Sequence, residues 1–183
     1  MQVYLFLADG FEEIEAIAPI DILRRANINI QTVSISGTKE VTGAHGIIIH
    51  ADRLFTEIDL VHNDMLILPG GMPGTKNLDA HQALKALLAK QFEKGGKIAA
   101  ICAAPSILGK MGLLEGKEAT CYPGFEDALS GATISLEKVV MDKNIITAKG
   151  AGVAVEFALK LVEELDCKSE AERIAAAICL TTK

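Results

Sequence analysis

The chain reads as a doubly wound α/β domain, a mostly parallel sheet covered by helices on both faces. Three observations predict it. Short, uninterrupted apolar runs recur at 3–8, 64–71 and 97–101, as strands buried on both faces require. Gly or Pro follows each run, and a segment with apolar residues at helical spacing comes next. Half of the 183 residues are hydrophobic and only 4% are aromatic, so the core is built from Ile, Leu, Val and Ala. The alternation extends over residues 1–183 as one domain, without repeats or linkers.

The elements follow in order. VYLFLA at 3–8 is a strand ended by Asp9–Gly10. Residues 12–26 are helical, with Ile14, Ile17, Ala18 and Ile22 on the expected apolar face and Pro19 expected to break or kink the helix. IQTVSI at 30–35 and GIIIHA at 46–51 are strand-like, and DMLILPGG at 64–71 is a buried strand running into a Gly-rich turn. Residues 75–93 form an amphipathic helix through Leu84, Leu87, Leu88 and Phe92, stopped by Gly95–Gly96. KIAAI at 97–101 is a central strand, followed by a helix over 104–111 with Pro105 in its first turn. Short strands are expected near 117–121, 132–135, 138–141 and 144–148, with DKN splitting the last two into a hairpin. Helices over 153–165 and 169–180 close the chain, the second capped by Ser169 with Glu172 completing a capping box.

Composition narrows the function. The net charge is −6 and Arg24–Arg25 is the only adjacent basic pair, so a nucleic-acid surface is not expected. No apolar stretch reaches the ~18 residues of a membrane span, and the N-terminus lacks a basic signal region, so no membrane partner is expected. Cys102, Cys121, Cys167 and Cys179 are far apart and form no CxxC pair; they read as reduced thiols of a cytoplasmic protein. His45, His50, His62 and His81 show no metal-ligand spacing and read as surface or strand-edge residues, with no metal expected. GxGxxG, Walker and GxSxG motifs are absent, so no nucleotide cofactor is expected.

In such folds ligands sit at the carboxyl ends of the strands, which singles out three loops: 9–15, 69–75 and 102–106. Cys102 lies where a strand turns into a helix. The free N–H groups there favour an anion, and a thiol so placed has a pKa of about 3.5–7.5. Ala99, Ala100, Ala103 and Ala104 give the turn room, as nucleophile elbows need. Position alone is equally compatible with a buried structural cysteine. The PGG at 69–71 is either a routine turn or a backbone pocket for an oxyanion. Glu12, Glu13 and Glu15 suit a helix N-terminus, and Glu15 borders the apolar face, where it can reach the crevice.

ADGFEEIEAIAPIDILRRA at 8–26, LILPGGMPGTKNL at 66–78, KIAAICAAPSILGKMGLL at 97–114 and EFALKLVEEL at 156–165 together resemble the DJ-1/ThiJ/PfpI superfamily, specifically its DJ-1 branch. The resemblance implies a flavodoxin-like three-layer sandwich with a small β-hairpin excursion, and a homodimer. It implies Cys102 as the reactive cysteine and Glu15 as its protonated partner. It places an anion pocket at the backbone N–H groups of Gly71 and Ala103, and Gly70 and Tyr122 against the substrate. It also implies either cofactor-independent detoxification of methylglyoxal and glyoxal, of glyoxalase or deglycase type, or an oxidative-stress sensor and holdase working through Cys102 oxidation. The substrate would be a small aldehyde or dicarbonyl. Three departures bear on this. Ala103 follows Cys102 where peptidase-like and amidotransferase-like relatives carry His, which argues against those activities. Tyr122 stands where many DJ-1 branch members carry a pocket His. GAGV at 150–153 replaces the branch's GPGT, making that wall more apolar.

Overall fold

The computed structural model describes residues 2–58 and 64–180; His62 lies outside them. In chain order the elements are β1 (Gln2–Leu7), α1 (Glu13–Arg25), β2 (Asn29–Ser34), β3 (Glu40–Thr42), β4 (Ile48–His50), β5 (Arg53–Leu54), β6 (Met65–Leu68), α2 (Gly74–Ala80), α3 (Gln82–Glu93) and β7 (Lys97–Ile101). After these come α4 (Pro105–Lys110), β8 (Glu118–Ala119), β9 (Thr133–Ile134), β10 (Val139–Asp142), β11 (Ile145–Ala148), α5 (Ala154–Leu165) and α6 (Lys168–Ala177).

The apolar runs are strands buried on both sides, because alternate side chains enter opposite cores. Val3, Leu5 and Leu7 of β1 face one core, and Tyr4 and Phe6 face the other. The same alternation holds along β6 and β7. These strands form a mixed, mostly parallel sheet of seven in the order β10-β11-β7-β6-β1-β2-β5, in which only β10 and β11 pair antiparallel. Helices α1, α5 and α6 pack on one face; α2, α3 and α4 pack on the other. The flavodoxin-like α/β architecture expected from the sequence is therefore present.

The connection after β1 crosses one face and the connection after β6 crosses the other. Their loops diverge and leave a crevice above the carboxyl ends of these adjacent strands, where doubly wound folds bind ligands.

Several expectations are corrected. Pro19 does not break α1, which runs continuously from Glu13 to Arg25 and buries Pro19. Packing of α1 against α5 offsets the missing hydrogen bond. The buried face of α1 is Ala16, Pro19, Ile20, Ile22 and Leu23, while Ile14 and Ile17 remain 56% and 44% exposed. The helix is turned so that Glu13 and Glu15 point inward, and two isoleucines move outward as a result.

The segment 75–93 breaks at His81, whose Nδ1 accepts the Leu84 N–H at 3.0 Å and so starts α3. The DKN hairpin exists, with Lys143 in the left-handed region (φ 56°), but it lies within the main sheet. The excursion is β3–β4, an antiparallel hairpin outside that sheet, and it absorbs the 46–51 segment. Strands β8 and β9 form a separate parallel pair. The last helix begins at Lys168 with Cys167, not Ser169, in the N-cap position and no side-chain cap; Ser169 Oγ lies against Cys167 Sγ at 3.2 Å.

Candidate active site

β7 delivers Cys102 to the crevice. Its N–H donates to the Ala148 carbonyl at 2.9 Å, and its own carbonyl accepts the Tyr122 N–H at 2.8 Å. Held from both sides, Cys102 takes a left-handed backbone with φ 65°. A non-glycine residue there costs roughly 1–3 kcal/mol, which the surrounding bonds must outweigh. Pro105 opens α4 immediately afterwards, as its sequence position predicts.

Glu15 reaches the same point from α1. It is 1% exposed, and its Oε2 accepts the Gly70 N–H at 2.9 Å. Its carboxyl group is hydrogen-bonded to the Cys102 side chain and to the Ala151 backbone. The Gly71 and Ala103 N–H groups donate to the sulfur. Gly70 has to be glycine, because a Cβ there would stand 2.6 Å from both Cys102 Cβ and Glu15 Oε2. Gly71 has φ 89°, and a Cβ on it would meet the Glu12 nitrogen at 2.3 Å.

The thiol's shift runs opposite to that expected of the elbow alone. Burial pushes the Cys102 thiol up to about 12, the Glu15 charge and hydrogen bond add to the rise, and the Ala103 and Gly71 N–H groups only oppose it. Burial likewise pushes Glu15 up to about 7. Two acids in contact cannot both ionise cheaply, so the pair titrates as a unit and keeps one proton well above neutrality. With that proton on the carboxyl oxygen, Cys102 is a thiolate hydrogen-bonded to a neutral acid. With it on sulfur, the charge sits on Glu15. Cys121 is buried as well, and desolvation with the Glu126 charge pushes it up to about 11.

The pair opens into a cleft of about 320 Å³. Glu12, Met72, Tyr122, Phe125 and Ala151 form its walls with Gly71 and Ala103. All six residues singled out from the sequence thus come together: Cys102, Glu15, Gly70, Gly71, Ala103 and Tyr122. The Gly70 N–H, however, is spent on positioning Glu15, so it does not face a substrate. Ala151 lines the cleft, but Val153 packs against the hydrophobic core. Sequence reasoning missed Glu12, Met72 and Phe125 as wall residues; the only signal was their closeness to the motifs.

It also missed a cluster beside the mouth. The β3–β4 loop lays His45 over α1, with Nδ1 2.8 Å from Glu13 Oε2 and 3.6 Å from Glu12 Oε2. Glu13 also accepts the His45 N–H at 2.7 Å. Burial acts to raise the Glu13 pKa, but these hydrogen bonds outweigh it and hold the carboxyl below its usual range. Glu12, Glu13 and His45 are the one group with metal-ligand spacing among the described residues, and both Glu13 oxygens are already engaged.

Against known proteins, a family model described as the DJ-1/PfpI family matches residues 1–164. The chain belongs to the DJ-1/PfpI family. Relatives bearing the DJ-1 name place it in the DJ-1 branch. Protein DJ-1 homolog A of Arabidopsis thaliana is 38% identical over 97% of this chain, though the chain spans only 46% of that relative's length. Protein dj-1beta of Drosophila melanogaster is 36% identical, covering 95% of this chain and 94% of the relative. The glutathione-independent glyoxalase DJR-1.2 of Caenorhabditis elegans is 34% identical, covering 92% and 90%. Among solved structures, oxidized Toxoplasma gondii DJ-1 superposes with a TM-score of 0.95 at 37% identity, covering 99% of each chain.

Proposed function

We propose that this DJ-1 family chain is a cofactor-independent glyoxalase of the cytoplasm, converting methylglyoxal and glyoxal to hydroxy acids in stress protection. The observation that carries the reading is the Cys102–Glu15 pair, buried at the head of the cleft beside the Gly71 and Ala103 backbone N–H groups. A relative of 34% identity named as a glutathione-independent glyoxalase supports the choice of reaction.

The chemistry needs only these groups and water. The Cys102 thiolate attacks the aldehyde carbon of methylglyoxal, forming a C–S bond. The carbonyl electron pair moves to oxygen, which takes the Glu15 proton and accepts from the Gly71 and Ala103 N–H groups. The Glu15 carboxylate then removes the hydrogen from the same carbon to give an enediolate, the hydroxyl proton passes from the first oxygen to the second, and Glu15 returns its proton to the neighbouring carbon. The enediolate thus becomes an S-lactoyl thioester. Water adds to the thioester, the C–S bond breaks, and lactate leaves with the thiolate restored. Electrons are redistributed within the substrate, so no external oxidant or reductant is required. Among the described residues, none lining the cleft is a histidine, and Glu15 carries the proton transfers.

A second reading rests on the oxidized state of the Toxoplasma relative. There the Cys102 thiolate takes one oxygen from each of two peroxides, yielding a sulfinate and two waters, and the same donors hold the new oxygens. One experiment separates the two readings. Lactate formation from methylglyoxal is followed on wild type and Cys102→Ser, beside a peroxide titration read by peptide mass. The glyoxalase reading expects lactate from wild type and a drop of about 100-fold or more in the variant. Unchanged turnover in Cys102→Ser overturns it. Two oxygens gained at Cys102 ahead of Cys121, Cys167 and Cys179, with no lactate formed, leaves the sensor.

We also propose a homodimer formed through α1 and the β3–β4 hairpin. Ile14, Ile17, Ile47 and Ile48 are 44–63% exposed there, on elements tied together by the Glu13–His45 bonds. Such a concentration of large apolar side chains is unusual on a solvated surface.

A further inference from the structure

The walls of the Cys102 cleft carry charge of one sign. Glu12 and Glu15 line it, and among the described residues none lining it is a lysine or arginine. Glu15 is engaged with Cys102, whereas Glu12 lines the cleft outside that pair. The Glu12 side chain is 17% exposed and makes no capping bond to the backbone of α1, so it is not spent on the helix. It acts through space on Glu15 and on His45.

The cations nearby do not cancel it. The His45 ring is 69% exposed and sits closer to Glu13, at 2.8 Å, than to Glu12, at 3.6 Å. Even when protonated, it is outnumbered by the two carboxylates it touches. Lys149 precedes Gly150, whose Cβ position would lie 3.8 Å from Cys102 Sγ, but its ammonium is bound to the Leu136 carbonyl. A narrow cleft with low-dielectric walls focuses such a field on whatever enters.

We propose that Glu12 makes this cleft a charge filter that admits small neutral electrophiles and turns away anionic ones. The filter deepens the cysteine-centred reading, since Cys102 is the atom whose access it controls. Neutral dicarbonyls pass, 2-oxo acid anions of the same size do not, and a carboxylate product is expelled once formed. Met72, Phe125 and Ala151 add apolar wall, and beyond the Gly71 and Ala103 N–H groups at the sulfur the described wall residues offer an anion no charged partner.

Alkylation tests this without any turnover. Iodoacetamide and iodoacetate are near-isosteric and differ by one charge; with either, the Cys102 sulfur displaces iodide as the C–S bond forms. The ratio of their rate constants at Cys102, read by peptide mass, is compared with the ratio on the urea-unfolded chain. Using a ratio cancels any change in intrinsic thiol reactivity. The folded wild type is expected to favour iodoacetamide about ten-fold more than the unfolded chain does, with the excess falling as salt is raised. Glu12→Gln, which keeps the side chain's shape, is expected to cut that excess about three-fold. Equal ratios in folded and unfolded wild type overturn the filter. An excess that ignores both salt and Glu12→Gln overturns the role of Glu12. Because only the thiol is needed, absence of lactate formation sinks the glyoxalase reading and leaves this result standing.

Discussion

At the scale of single residues, the site depends on what is missing at Gly70 as much as on what Cys102 and Glu15 bring. The space a side chain would need at Gly70 is filled by Cys102 Cβ and Glu15 Oε2, both 2.6 Å from the Cβ position. Gly70→Ala must therefore part the pair or shift β6. The expected cost is about 1–3 kcal/mol of stability, as for overpacking elsewhere in protein cores. The Cys102 titration should also move toward that of an ordinary thiol, because Glu15 loses contact with it. Denaturant unfolding and the pH dependence of alkylation check the two halves. A variant with wild-type stability and titration would show that the loop relaxes freely. The sequence offered PGG as either a turn or a pocket, and no spacing rule could choose. The choice was made by β6 pairing with β7, which sets Gly70 beside Cys102.

At the scale of elements, α1 shows why apolar spacing can mislead. Ile14, Ile17, Ala18 and Ile22 look like a core stripe, yet two of the four face solvent. The period was right and the phase was wrong. Glu13 and Glu15 claim the inward face through hydrogen bonds to His45 and Gly70, partners 32 and 55 residues away. A window of a dozen residues contains nothing that foretells such partners. The proposed homodimer accounts for the displaced isoleucines, and Ile17→Glu tests it. A charge at this half-exposed position should alter the stability of an isolated subunit by only about 0.5 kcal/mol. It should abolish a dimer that buries Ile17. Light scattering is expected to give twice the chain mass for wild type and the chain mass for the variant. Equal masses for the two proteins refute this face as the interface.

At the scale of the whole molecule, the doubly wound layout was legible because each central strand is apolar on both faces and each crossover carries a helix. The positions of Cys102, Glu15 and Gly71 followed from that layout, since Cys102 and Gly71 lie beyond the carboxyl ends of β7 and β6 and Glu15 lies in the first turn of the helix that follows β1. The β3–β4 excursion was not legible, because GIIIHA is as apolar as a central strand and only tertiary pairing sends it elsewhere. Nor was the thiol's raised pKa, which depends on burial beside a second acid. That acid leaves a mark on global stability. Glu15 titrates near 4.5 when unfolded and at about 7 when folded. Between those values the folded chain binds the extra proton, so stability falls as pH rises through the window and the penalty is complete above about 7. The shift corresponds to a penalty of about 3 kcal/mol. Glu13, whose folded pKa is lowered, contributes the opposite slope but is common to wild type and a Glu15 variant. Glu15→Gln keeps an acceptor for the Gly70 N–H and removes the titration. Its unfolding free energy relative to wild type should therefore rise by about 3 kcal/mol from about pH 4.5 to about pH 7.5, measured by urea unfolding. A difference that stays constant across that range would show that Glu15 carries no buried proton, and the proton transfers assigned to it would have to move to another group.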